Sequence, residues 1–221
     1  MARGVTNGPG LSRPAPSREV ARALRRIPPN VDWAWARGRI VPVIERPEPG
    51  APSDDPYVTI TAECDLTVGF GFDLAHVLVR VGRSAADRWR CGPQVLQRAA
   101  YANLRSVARR LAPSTVQFES YEGLDFAILA APPGLAASLL LTPDQLTRLF
   151  GSHDQVFTAP SRSVMLSFSP SAPFGPVMDI TQAVASLDPM PIHVGPLFLI
   201  DGLLRPFGDP NGTKVTILAE P

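Results

Sequence analysis

The chain has 221 residues, which is enough for one domain with a sizeable buried core. Its 21 basic and 20 acidic residues nearly cancel, so no global electrostatic field would attract nucleic acid or an anionic membrane. Two cysteines, Cys64 and Cys91, are too few for a disulfide framework and indicate a reducing compartment. We therefore expect a cytoplasmic protein, with neither a secretory leader nor an apolar run that could span a membrane.

Residues 1–30 are predicted to be a flexible basic arm, and residues 31–221 to be a single domain. Glycine and proline recur through the arm too often for packed structure throughout. Residues 17–27 fit a short basic helix capped by Ser17. Nucleic-acid association through this arm is an alternative that we do not favour, because aromatic residues for base stacking are absent before Trp33. The arginines on which it would depend are Arg18, Arg22, Arg25 and Arg26.

Strands are predicted along the next part of the chain. Residues 39–45, 57–61 and 66–72 are apolar or alternate as strands do. A proline-rich surface loop, residues 46–56, follows the first of them. Residues 74–81 fit either a further strand or the start of a helix.

A long amphipathic helix is predicted from Pro93 to Leu111. Pro93 suits the first helical position after Gly92, and Pro113 ends the pattern. Apolar residues recur on one face at helical spacing. The opposite face is interpreted as facing solvent, with an anion site as the alternative. That face carries Arg98, Arg105, Arg109 and Arg110.

Two hairpins are predicted from their turns. Residues 116–130 form one around Glu122-Gly123, and residues 197–207 form another around Asp201-Gly202. An acidic residue followed by glycine favours the two-residue turn that joins antiparallel strands. A last edge strand is expected at residues 215–218.

A short helix and two strands are predicted between these hairpins. Thr142 is expected to cap a helix over residues 143–150, with Gln145 completing a capping box. The strands follow at residues 156–158 and 164–168, which are rich in β-branched and aromatic residues.

A further helix is predicted at residues 177–187, so clusters of strands alternate with single helices. This order indicates an α+β fold, with a mainly antiparallel sheet and helices packed on one face. Asn103 and Asp125 lie in apolar surroundings, and we interpret them as hydrogen-bonded structural residues.

Four short patterns follow one another in the chain. They are DLTVGFGFD at 65–73, AAYANL at 99–104, ASLLL at 137–141 followed by APSR at 159–162, and the strand, turn and strand at 197–207. In this order they resemble the YtpQ-like family of bacterial proteins, whose function is not established. The resemblance covers roughly residues 60–208. The family pattern has an acidic residue after Pro-Ser-Arg, where this chain has Ser163.

Sequence signatures of catalysis and cofactor binding are absent. The three histidines and two cysteines show no HxxxH, CxxC or HExxH spacing, so we expect no metal site. No serine lies in GxSxG, and neither GxxxxGK[ST] nor GxGxxG before a helix occurs. We therefore expect no cofactor.

The candidate binding site is the break between the strands at 156–158 and 164–168. Ser161 and Arg162 lie in this break, and His153 lies in the preceding loop. An arginine can hold a carboxylate or phosphate bidentately, so a hydrolase-like or anion-binding enzyme is one alternative here. If Arg162 is structural instead, a carboxylate should pair with it. The expected partners are Asp125, Glu122 and Asp179.

The absence of catalytic motifs favours a non-catalytic binding or interaction domain, and whether the protein is an enzyme stays open. The expected partner is another protein. Neither a membrane nor nucleic acid is the expected partner.

Overall fold

The computed structural model describes residues 18–45, 55–62, 64, 66–74, 78–131, 135–152, 154–188 and 191–206. His153 and the edge strand predicted at residues 215–218 lie outside these residues. Within them the chain forms two antiparallel sheets with helices around them. The predicted α+β class is confirmed. None of the helices in this described part is long and apolar enough to cross a membrane.

The first sheet has four strands from the N-terminal half of the chain. They are β1 (Ile40–Glu45), β2 (Thr59–Thr61), β3 (Thr67–Asp73) and β4 (Leu78–Arg80). Strand β1 pairs along one side of β3, while β2 and β4 pair with successive halves of β3 on its other side. The ambiguous segment at 74–81 therefore contributes a strand.

The second sheet has six strands, in the spatial order β10-β9-β7-β8-β6-β5. They are β5 (Val116–Tyr121), β6 (Leu124–Ala130), β7 (Gln155–Ala159), β8 (Val164–Phe168), β9 (Val194–Ile200) and β10 (Leu203–Pro206). Both predicted hairpins are present. Their turn residues have positive φ, which is 50° and 79° at Glu122 and Gly123, and 50° and 76° at Asp201 and Gly202.

Six α-helices occur in the described residues. They are α1 (Arg18–Leu24), α2 (Trp33–Arg37), α3 (Arg83–Arg88), α4 (Pro93–Ala108), α5 (Pro143–Phe150) and α6 (Phe174–Ala185). Helix α5 has its predicted bounds, whereas α4 ends three residues before Leu111 and α6 lies two to three residues before the predicted segment 177–187. The sequence analysis predicted neither α2 nor α3, and it did not predict the 3-10 helix at Ala137–Leu141.

Helical segments cover both faces of the six-stranded sheet, where the sequence analysis expected one. On one face, Val156 and Leu166 share a buried cluster with Val177 of α6. On the other, the ring of Phe157 lies 5.1 Å from the ring of Phe150 in α5. Side chains alternate across a strand, so the buried runs of β7 and β8 supply apolar residues to both faces.

The start of α5 differs in detail from the predicted capping box. The Thr142 hydroxyl donates to the carbonyl of Leu139 at 3.0 Å and makes no side-chain cap bond. Gln145 instead accepts a hydrogen bond from Arg148. Arg148 reaches back to the carbonyl oxygen of Ala108, at 2.7 Å. Arg148 thus satisfies a carbonyl at the carboxyl end of α4, and Gln145 contacts Arg148 rather than the start of α5.

Candidate anion-binding site

Arg162 pairs with Glu45, the last residue of β1. The Glu45 Oε2 atom accepts hydrogen bonds from Arg80 Nη2 at 2.6 Å and from Arg162 Nη2 at 3.0 Å, and the Glu45 side chain is only 7 % exposed. We call these three residues the Glu45 junction. It connects the first sheet to the β7–β8 loop of the second.

The partners predicted for Arg162 were wrong. Asp125, Glu122 and Asp179 are all exposed, whereas the acceptor is the buried carboxylate of Glu45, 117 residues away along the chain. Such a contact depends on how the two sheets meet, and no local sequence signal reports that.

The surroundings of the Glu45 junction hold it in place. A Cβ atom on Gly69 would lie 3.1 Å from Glu45 Oε1, so the glycine leaves room for the carboxylate. The guanidinium of Arg80 lies 4.8 Å from the ring centre of Tyr57. The backbone carbonyl of Arg162 accepts from Ala137 N at 3.2 Å. These contacts indicate a structural role for the junction.

The predicted group of Ser161, Arg162 and His153 is described only in part. Ser161 is 2 % exposed, and its hydroxyl oxygen accepts from Ser163 N at 3.3 Å. His153 lies outside the described residues. Arg162 Nε is buried and has no hydrogen-bond partner within the described part of the chain. Ser161 and Arg162 are therefore neighbours in a packed loop, with their best contacts to the protein itself.

A different group of residues lines an open cavity of about 430 Å³ between α2, β1 and α4. Three arginines line it, and none of the lining residues that the structure describes is acidic. Trp35 and Phe72 supply an aromatic part of the wall. The polar lining residues are Arg26, Arg39, Arg110, Asn103 and Ser106.

Trp35 and Arg39 form one side of this cavity. The Arg39 guanidinium lies 4.7 Å from the centre of the Trp35 ring, and Arg39 Nη1 donates to the Trp35 carbonyl at 3.1 Å. The Trp35 ring meets the Phe72 ring in an edge-on contact at 5.2 Å. Asp32 accepts from Trp35 N at 2.8 Å and so caps the short helix α2. The indole and the guanidinium are thereby held in a fixed arrangement.

Asn103 and Arg110 form the opposite side. The Asn103 Nδ2 atom donates to the carbonyls of Arg37 and Ile40, at 2.9 and 2.8 Å, and so fixes the turn between α2 and β1. The hydrogen-bonded structural role predicted for Asn103 is present. Arg110 lies just beyond α4, and its Nη2 atom donates to Ser106 Oγ at 3.0 Å. One side of Arg110 is thereby anchored to α4.

A second open cavity of about 640 Å³ adjoins the first, with Gly38 and Asn103 in the walls of both. Arg37 and Arg98 line it, together with the indole of Trp33. The described part of this wall contains no acidic residue either. The two cavities form one recessed surface.

Basic residues are concentrated in the two segments that supply these cavities. Residues 18–39 and 93–112 carry ten arginines and only two acidic residues, Glu19 and Asp32. The rest of the chain carries 18 acidic and 11 basic residues, so the near-neutral total hides an uneven distribution along the sequence. Five of the ten arginines line the two cavities, and we call the recessed surface that they line the arginine face. They are Arg26, Arg37, Arg39, Arg98 and Arg110.

The salt bridges between described residues join Arg80 and Arg162 to Glu45, and neither of them involves an arginine of the cavities. Guanidinium groups without a counter-charge, placed around a recess, create a local positive potential that favours an anion. This is the strongest candidate site in the described structure.

One signal of this site is visible in the sequence. It is the basic side of α4, for which an anion site is the alternative interpretation. The approach of Arg26, Trp35 and Arg39 to that side depends on tertiary packing, and sequence reasoning missed it.

Metal-binding geometry and known relatives add no further assignment. In the part of the chain that the structure describes, no group of three or more His, Cys, Asp or Glu side chains could hold a metal ion. Neither a family model, nor a curated protein, nor a solved structure matches this chain.

Proposed function

We propose that this protein is a non-catalytic binding protein whose arginine face takes an anionic ligand. One observation carries the proposal: the cavity between α2, β1 and α4 has three arginines and an indole in its wall, and none of its described lining residues carries a carboxylate. An anion placed there would gain charge-assisted hydrogen bonds without displacing an internal ion pair.

The choice of arginine supports this chemistry. A guanidinium presents several N–H donors in one plane, which suits phosphate and carboxylate oxygens. Arg39 and Arg110 each use one Nη atom for a protein contact, so other donors remain for a ligand. The indole of Trp35 adds an apolar wall for an organic part of the ligand.

The enzyme alternative near Ser161, Arg162 and His153 stays a prediction. The buried Ser161 hydroxyl and the pairing of Arg162 with Glu45 favour a structural loop there. The binding function proposed above uses a separate surface.

Two further proposals concern family and location. Membership of the YtpQ-like family is supported by the order of the four sequence patterns, which fall on β3, α4, the segments around α5, and β9 with β10. A cytoplasmic location is supported by the low cysteine count, because two cysteines are too few for a disulfide framework.

Calorimetric titration with inorganic tripolyphosphate tests the binding function. We expect the wild type to bind, and the double variant Arg39→Ala/Arg110→Ala to bind about tenfold more weakly or not at all. The matched control is Arg83→Ala/Arg88→Ala, which removes two exposed arginines from α3, outside both cavities. Thermal melts establish that each variant is folded.

Two results would overturn the proposed function. One is a wild type that takes up no tripolyphosphate at low ionic strength. The other is an equal loss of affinity in both double variants, because the effect would then follow net charge and not the cavity.

A further inference from the structure

The two cavities of the arginine face repeat one combination of groups. The first has Trp35 with three arginines, and the second has Trp33 with two. They meet at Gly38 and Asn103. An aromatic wall beside a guanidinium cluster is the combination by which proteins hold a base together with its phosphate.

The geometry points to single-stranded nucleic acid as the anionic partner. This inference rests on the proposed anion-binding function and specifies its ligand. Neighbouring bases would enter the two recesses against Trp35 and Trp33, and the strand would cross at Gly38. The phosphates would contact arginines along the rim.

The extent of the positive charge favours a polymer over a small anion. A small anion would fill one cavity and contact two or three arginines. Helix α4 extends this charge past the cavities, because the exposed Arg105 and Arg109 line neither cavity but follow Arg98 by seven and eleven residues, which places them on the same face of the helix. An extended strand with one charge per nucleotide would contact the arginines beyond the cavities, and a mononucleotide would not reach them.

The shape of the surface favours a single strand over a duplex. Duplex DNA is read by an element that enters a groove, whereas this surface is recessed. Unstacked bases of a single strand can occupy such recesses. A membrane surface offers charge but no group that would fill aromatic-walled recesses of about 430 and 640 Å³.

Gly38 offers a precise way to test the crossing point. Its φ of −87° suits any residue, and a Cβ atom there would meet no heavy atom within 4 Å. Gly38→Glu therefore places a carboxylate at the crossing point without backbone strain. Gly38→Gln adds nearly the same volume without charge. Gly175→Glu adds the same charge on α6, at another glycine with open space around it.

The experiment measures fluorescence anisotropy of labelled oligothymidylate, about a dozen nucleotides long, against full-length protein over a range of salt concentrations. We expect binding that weakens with salt, a loss of about tenfold or more in Gly38→Glu, a smaller loss in Gly38→Gln, and no loss in Gly175→Glu. The slope of log K against log salt should fall by about 1.4 in Arg39→Ala/Arg110→Ala, if each arginine contacts one phosphate.

The contrary outcomes separate the two proposals. If tripolyphosphate binds and the oligonucleotide does not, the inference fails and the anion-binding function stands. Preference for phosphatidylserine vesicles or polyglutamate over the oligonucleotide overturns the inference in the same way, as does equal weakening by Gly38→Glu and Gly175→Glu. If none of these anions binds, both proposals fail.

Discussion

The carboxylate of Glu45 balances two guanidinium groups that reach it from different sheets. Removal of its charge would leave Arg80 and Arg162 without an acidic partner in a largely buried place, since their side chains are only 21 % and 22 % exposed. We expect Glu45→Gln to lower the free energy of unfolding by about 3 kcal/mol. Arg162→Ala should cost less, because Glu45 keeps its 2.6 Å contact with Arg80.

Urea unfolding of the two variants checks this order. The exposed Glu119→Gln on β5 is the control for loss of one carboxylate, and it should change little. A larger loss in Arg162→Ala than in Glu45→Gln would contradict the structural role given to Glu45.

Asp55 offers a pH-dependent test at the start of α3. Its carboxylate accepts from Ser84 Oγ at 2.6 Å and from Ser84 N at 2.8 Å. These two hydrogen bonds hold the pKa of Asp55 below its ordinary value of 3.8, and the bond from the Ser84 hydroxyl has the larger effect. A lowered pKa in the folded state means that the ionised form stabilises the fold above 3.8, and that this stabilisation disappears as the pH falls through the folded value.

Carbon-13 NMR titration of the Asp55 carboxyl group measures this directly. The midpoint should lie below 3.8 in the wild type and rise toward 3.8 in Ser84→Ala. A wild-type midpoint at or above that value would show that Ser84 does not hold the ionised form.

At the scale of elements, a buried polar contact joins α6 to its sheet beside their apolar packing. The Thr181 hydroxyl donates to Val177 O at 2.7 Å, so its single hydrogen is used within α6. Thr158 on β7 must then donate to Thr181 Oγ1 across the 2.9 Å contact. The two threonines are therefore not equivalent, because only Thr158 loses its acceptor when its partner is removed.

This asymmetry predicts the outcome of two valine substitutions. Thr181→Val should lower the free energy of unfolding by about 1 to 3 kcal/mol, because the fully buried Thr158 hydroxyl would lose its acceptor. Thr158→Val should cost less, because Thr181 still donates to Val177. Chemical denaturation measures both, and equal losses would contradict the assigned direction of the hydrogen bond.

Elements whose signals are local could be predicted from the sequence, and short ones that depend on packing could not. The long apolar stripe of α4 and the turns at Glu122-Gly123 and Asp201-Gly202 determine their own structure. Helix α2 has only five residues, and it relies on Asp32 and on aromatic contacts made by Trp35. Nothing periodic marks such a segment.

At the scale of the whole molecule, the candidate site also depends on packing between distant segments and not on a local sequence signal. The near-zero net charge predicts no global field that would attract an anionic polymer. The fold nevertheless brings five arginines from residues 18–39 and 93–112 to the walls of two adjoining cavities. Total charge says nothing about such segregation, because it depends on which distant segments the fold brings together.

Amide chemical-shift mapping with tripolyphosphate tests the central claim most directly, because it locates the bound anion on the folded chain. The binding account predicts that the largest shift changes occur at Trp35, Gly38, Arg39 and Arg110, and that they saturate together with one affinity. Changes confined to residues 160–163 would place the anion at the loop of Ser161 and Arg162 and contradict the account. A spectrum that tripolyphosphate leaves unchanged would contradict it equally.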